Sequence, residues 1–145
     1  MKAFMASAPY LVALSAGFLV QFSKFVSHML MHREINFRRL VGTGGMPSAH
    51  SASVAALSTA VGFREGTGTT LFAVTLFFSL VVMYDAAGLR RAAGLQARVL
   101  NRIVEDQYAH RGLLPNRLSE LLGHTPFEVL VGALLGVLYG VVWYL

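Results

Sequence analysis

Four long apolar stretches constrain this chain more than any other feature. They run from Pro9 to Met31, Ser48 to Phe63, Thr69 to Tyr84 and Pro126 to Leu145. A helix that crosses the hydrocarbon layer needs about 20 residues, with about 17 as the lower limit. The first and fourth stretches meet that length. The second and third sit at the limit and must tilt or extend into their loops. The pattern predicts an all-α integral membrane helical bundle of four transmembrane helices, the second being the weakest case. With 145 residues, it forms a single domain over 1–145.

Composition supports the membrane class. Charged residues make up only 13% of the chain and apolar residues 55%, whereas soluble domains carry about a quarter charged residues. The chain has no cysteine, which excludes a disulfide framework and thiolate chemistry. The formal charge is +5, but the bases lie between apolar segments. Anionic lipid, or phosphate carried on a lipid, is therefore the expected partner, and nucleic acid is not. The opening "MKAFMASAPYLVALSAGF" also has the form of a signal peptide. Its removal would leave the short second and third helices without cover.

The distribution of basic residues sets the orientation. Lys24, Arg33, Arg38 and Arg39 follow the first stretch, and Arg90, Arg91, Arg98, Arg102, Arg111 and Arg117 follow the third; the other side holds only Lys2 and Arg64. Ten against two predicts a multi-pass protein of the cell's inner (plasma) membrane with both long loops in the cytoplasm. In the longer loop, Leu89, Ala92, Gln96, Val99, Leu100 and Ile103 recur at helical spacing, with Arg91, Arg98 and Arg102 on another face. This predicts an amphipathic helix in the interface. A solvated basic helix without a ligand is the alternative.

Two helix mouths carry the chemistry. "TGGMPSAHSAS" precedes the second apolar stretch and "LLGHTPFEVLVGALLG" opens the fourth, so His50 and His124 start helices from one basic face. His124 and Glu128 stand four apart, on one helix face. A carboxylate there accepts a hydrogen bond from one imidazole nitrogen and leaves the other as nucleophile or base. Gly132, Gly136 and Gly140 continue the same spacing, a small-residue face suited to close packing within the bundle or in a homo-oligomer. Around Ser48 and His50, Gly44 and Gly45 allow a tight turn, and the helix N-terminus offers N–H groups to a phosphate. Asp85 ends the third stretch, followed by Arg90 and Arg91, whose guanidinium groups suit phosphate. Each residue also has a structural reading. Ser48 or Asp85 would cap a helix, Lys24 would snorkel, and Arg90 and Arg91 would touch lipid head groups.

Together these residues resemble a known superfamily. "MPSAHS" resembles the Pro-Ser-x-His motif of the type 2 phosphatidic acid phosphatases, which share a fold with vanadium haloperoxidases. "HTPFE" resembles their closing His-x-x-x-Asp motif, with Glu128 in the Asp position. "GGMPSAHSA", "YDAAGLRRAAG" and "ELLGHTPFEVLVGALLG" are similar to a divergent small branch of bacterial and plastid membrane proteins, over nearly the whole chain. The resemblance implies a phosphohistidine mechanism without metal or other cofactor. His124 would attack phosphorus, Glu128 would orient it, and His50 would act as acid and then base. Lys24, Gly45, Ser48, Asp85, Arg90 and Arg91 would make up the phosphate site.

The chain departs from the parent pattern at several points. No Lys-x6-Arg-Pro string exists, and Lys24 is its nearest equivalent. Leu118 stands where the parent has an Arg six residues before the His, with Arg117 one place off. The parent enzymes have six spans, and many face away from the cytoplasm. The leading reading is a phosphomonoesterase for a lipid phosphate of the phosphatidic acid, phosphatidylglycerophosphate or polyprenyl phosphate class. Alternatives are a degenerate phospholipid or anion binder or transporter, and a structural membrane protein. A metal held by His50, His124, Asp85 and Glu128 is a variant of the first.

Overall fold

The computed structural model describes residues 8–35, 37, 45–108, 118 and 123–145; Lys2, Arg38, Arg39, Thr43, Gly44, Arg111 and Arg117 lie outside the described residues. Five helices follow one another: α1 (Pro9–His32), α2 (Ala49–Glu65), α3 (Thr70–Ala87), α4 (Leu89–Tyr108) and α5 (Pro126–Tyr144). No strand occurs among the described residues.

Local chemistry sets the helix ends. Pro9 and Pro126 open α1 and α5, where the missing N–H costs nothing. Hydroxyl caps begin α2 and α3: Ser48 Oγ accepts from Ser51 N at 3.3 Å and Thr69 Oγ1 from Phe72 N at 3.3 Å. Gly66, with φ of 93°, ends α2 in a conformation open to glycine. Gly88 separates α3 from α4.

Three stretches are long and apolar enough to cross a membrane: Pro9–His32, Thr70–Asp106 (which contains α3 and most of α4) and Pro126–Tyr144. The second apolar stretch is the special case. At 17 residues, α2 extends about 25 Å, somewhat less than the hydrocarbon layer. It is also the centre of the bundle, packed against α1, α3 and α5. Its buried residues are Ser51, Ala52, Ala55, Ala56, Ser58, Ala60 and Val61. A helix shielded by three others meets little lipid, so small residues that admit close neighbours replace large apolar ones. The outward faces of α3 and α5 carry the bulk instead, with Phe77, Phe78, Leu130, Leu134 and Leu138 all exposed.

Contacts along α2 establish the helix directions. Val12 and Ala16 of α1 cluster with Ala56 and Ala60, while Gly17 lies against Ala49 and Ser53, so α1 runs antiparallel to α2. Phe72 lies beside Gly62, and Ser79 Oγ bonds Ser58 Oγ and the Val54 carbonyl, each at 2.8 Å. The third helix is therefore antiparallel as well. By contrast, Gly132, Gly136 and Gly140 meet Ser48, Ala52 and Thr59 in that order, so α5 runs parallel to α2. The N-termini of α2 and α5 thus open on one face, beside the C-terminal ends of α1 and α3. The glycine face offered for self-association is occupied by α2 of the same chain.

Beyond α3, α4 carries Leu95, Val99, Leu100 and Ile103 exposed, as well as Arg91, Arg98 and Arg102. Its buried face is Gly94, Ala97 and Asn101. An amphipathic helix with an uncovered apolar side suits the interface expected from its sequence.

A methyl group at Gly136 would overlap the Ala52 backbone, with the Ala52 carbonyl carbon and Cα each 2.9 Å away. Gly136→Ala should therefore force α2 and α5 apart, at a cost of about 1–3 kcal/mol. Gly68→Ala, in open space, is the control. Thermal unfolding in detergent, followed by circular dichroism, should show a lower midpoint for Gly136→Ala alone.

Candidate functional site

The site is assembled at the paired mouths of α2 and α5. Thr125 caps α5, its Oγ1 accepting from Glu128 N at 3.3 Å, while Glu128 Oε2 accepts from Thr125 N at 3.1 Å. This reciprocal capping box satisfies two N–H groups that a helix start otherwise leaves open. The same Oε2 lies 3.0 Å from His124 Nδ1. An ionised carboxylate only accepts, so Nδ1 carries the proton in the neutral ring and Nε2 carries the lone pair. The capping box thus anchors the carboxylate that sets the histidine tautomer.

His124 is buried, with 5% of its surface exposed. Two backbone bonds hold the corner. His124 N donates to the Ala86 carbonyl at 3.0 Å, tying the start of α5 to the end of α3, and Ser48 N donates to the Glu128 carbonyl at 3.1 Å, tying the mouth of α2 to α5. The second bond depends on Gly132, because a Cβ there would collide with the Ser48 carbonyl.

The residues singled out in the sequence fall into four groups. His124, Glu128 and Ser48 come together, and Lys24, half-buried on α1, is within electrostatic reach of the Glu128 carboxylate. Asp85, half-buried, precedes Ala86 at the end of α3 and so borders the same corner. His50 is exposed in the first turn of α2, and Gly45 is exposed before it, with φ of 76° and no atom within 4 Å of a would-be Cβ. Arg90 and Arg91 belong to the first turn of α4; Arg91 is exposed and joins neither His124 nor Glu128 among the described residues. Ser48 is fully buried, and its Oγ accepts from both Ser51 N and Ser51 Oγ, the latter at 3.0 Å. Its side chain is therefore engaged in the cap. Among the described residues, no group of three or more His, Asp or Glu side chains is arranged to hold a metal ion.

Three partners were missed in the sequence reading. The Thr-x-x-Glu spacing of "TPFE" is the sequence signal for Thr125, as a capping box. The Ala86 carbonyl has no sequence signature. Asn101, 5% exposed, clamps residue 118 at both ends, donating from Nδ2 to the Leu118 carbonyl and accepting Leu118 N at Oδ1, both at 2.9 Å. A single polar residue in an amphipathic helix announced no such role.

Comparison with known proteins places this geometry in context. The family model described as "Divergent PAP2 family" matches residues 5–139. The chain is 40% identical over 141 residues to the uncharacterized membrane protein YuiD of Bacillus subtilis (strain 168), covering 90% of this chain and 89% of that protein. No solved structure matches.

The Glu128 contact predicts a histidine tautomer. In 15N spectra of histidine-labelled protein, the neutral His124 ring should carry its proton on Nδ1, and Glu128→Gln should shift the population towards Nε2–H. An Nε2–H tautomer in the parent protein would contradict the geometry. The resonance is assigned by its loss in His124→Asn.

Proposed function

The chain belongs to the Divergent PAP2 family, and from that membership we propose that it is a membrane-embedded phosphomonoesterase acting on a lipid phosphate. The observation that carries the reading is the contact at 3.0 Å between buried His124 and partly exposed Glu128, set at a mouth where two parallel helices begin. Helix N-termini favour phosphate through their free N–H groups and dipoles, and Lys24 adds a cation within electrostatic reach of Glu128.

In this mechanism His124 Nε2 attacks phosphorus and the bond to the lipid oxygen breaks. His50 donates a proton to the departing alkoxide, giving a free alcohol and a phosphohistidine. Glu128 accepts the Nδ1–H bond throughout and offsets the positive charge of the substituted ring. His50, now a base, takes a proton from water; the resulting hydroxide equivalent attacks phosphorus, the N–P bond breaks and inorganic phosphate leaves. Gly45 and the basic side chains of Lys24, Arg90 and Arg91 would hold the phosphoryl oxygens, and Asp85 would border them. Candidate substrates are phosphatidic acid, phosphatidylglycerophosphate and polyprenyl phosphates. The reaction would lie on the cytoplasmic face of the inner membrane, as the arginine distribution suggests. A lipid-phosphate binder without turnover is the second reading; the engagement of the Ser48 hydroxyl in its own helix cap favours it.

Detergent-purified protein should release phosphate from a lipid-phosphate panel, resist chelator and be inhibited by vanadate. His124→Ala and His50→Ala should each abolish release, while Glu128→Gln should slow it less than loss of His124, because Glu128 orients and does not react. Normal rates in either histidine variant would exclude the mechanism. Binding without release would select the second reading.

The absence of cysteine makes a topology test direct. A cysteine introduced at Gly45 should react with a membrane-impermeant maleimide only after the cytoplasmic side is opened. Labelling in intact cells would reverse the orientation.

A further inference from the structure

We infer that the lipid sits astride α5, its phosphate at the His124 mouth and one acyl chain in each of two grooves flanking the α2–α5 pair. The inference rests on the lipid-phosphate reading above and narrows the substrate to a diacylglycerol-based phosphomonoester.

The close glycine contact makes α2 and α5 a single ridge, with α1 on one flank and α3 on the other. Each flank leaves an apolar groove: α2 floors the one towards α3, and Ala52 is its contribution to the one towards α1. The groove towards α3 has a volume of about 450 Å³ and the one towards α1 about 470 Å³, both within the range of small-molecule sites. Ala133 and Val137 line the first; Leu135 and Tyr139 line the second. At 100° per residue these pairs fall on opposite sides of the Gly132–Gly136–Gly140 face, so the grooves straddle one helix.

Both grooves reach the site. Met83, in the first, lies one turn before Ala86, whose carbonyl holds His124 N. Ala52, in the second, lies one turn after Ser48, whose N–H bonds the Glu128 carbonyl. From there the first runs to Phe63 at the far end of α2 and the second to Val142 near the end of α5.

The walls select hydrocarbon. Five hydroxyls that border the grooves are satisfied within the bundle: Ser58 and Ser79 bond each other, Thr59 donates to the Ala55 carbonyl and Ser23 to the Val20 carbonyl, all at 2.8 Å, and Tyr139 donates to Ser15 Oγ at 2.9 Å. A polar occupant would lose its bonds to water and gain few in return, whereas an acyl chain needs none. Two grooves of nearly equal size converge on one phosphate site, and a single-chain lipid would fill only one of them.

Binding tests this separately from turnover. Affinities of dioleoyl phosphatidic acid, 1-oleoyl lysophosphatidic acid and farnesyl phosphate would be measured on detergent-purified protein by native mass spectrometry. The diacyl lipid should bind at least about tenfold tighter than either single-chain lipid, since burying even one extra methylene in an apolar pocket is worth about that factor. Ala133→Phe and Ser23→Phe each fill one groove. Each should weaken the diacyl lipid about tenfold and the lyso lipid by less than about twofold, because the remaining groove still accepts one chain. Equal binding of diacyl and single-chain lipids, or diacyl affinity unchanged in both variants, overturns the inference. The ranking on the parent protein decides the matter even where a variant fails to fold. Phosphate release is measured in parallel: a diacyl preference without release would sink the phosphatase reading and leave the two-groove placement standing.

Discussion

The close approach of α2 and α5 is the constraint on which the rest depends. Three glycines on one face of α5 remove the side chains that would keep the helices apart, and a Cβ at Gly132 or Gly136 would strike the backbone carbonyl of Ser48 or Ala52. In lipid, apolar side chains gain little by leaving the solvent, so association depends on dispersion at short range and on interhelical hydrogen bonds. Backbone contact supplies the first. The Ser48 N–H to Glu128 carbonyl bond, the Ser58–Ser79 pair and the Tyr139–Ser15 bond at 2.9 Å supply the second. The same approach brings two helix N-termini to one mouth, which is also where the sequence places both motif histidines.

Placing α2 at the centre explains its composition. A lipid-facing helix of that length would need large apolar side chains. Surrounded by α1, α3 and α5, it instead needs small ones, with hydroxyls that bond across or back along the helix, as Thr59 does to the Ala55 carbonyl. The large residues displaced from α2 reappear on the outer faces of its neighbours. The bulky side chains lining the grooves likewise belong mainly to α1, α3 and α5, while the small α2 residues Ala55, Ser58, Thr59 and Gly62 leave space on the α3 side and Ala52 on the α1 side.

Much of this was legible from periodicity. Apolar runs bounded by Pro9, Ser48, Thr69 and Pro126 became helices whose starts agree within a residue or so, because prolines and hydroxyl caps act locally. The His124–Glu128 contact was legible for the same reason: i,i+4 spacing on a helix is a distance. What was not legible depends on elements far apart in sequence. No pattern in "HSASVAALSTA" says that three helices will enclose it. The acceptor for His124 N is a backbone carbonyl of Ala86, a group every residue has. Ser48 illustrates both limits. Its capping role at a helix mouth was readable, but its full burial depends on the close approach of α5 at Gly132.

The departure at Glu128 has a physical account in the capping box. In the parent motif an Asp orients the histidine; here a Glu occupies the place and one oxygen, Oε2, accepts from both His124 Nδ1 and Thr125 N. Glutamate at the third helical position is the residue long enough to reach back to the cap N–H. Left unanchored, the longer side chain would carry an extra rotatable bond and hold the imidazole less firmly than aspartate does. The Thr125 N–H removes that freedom by taking the carboxylate into the helix cap. Glu128 is thereby part of the fold and part of the candidate site at once, and Thr125, through the carboxylate it anchors, sets the orientation of His124. The Glu-for-Asp exchange and the Thr-Pro start of α5 therefore belong together: each makes structural sense only in the presence of the other.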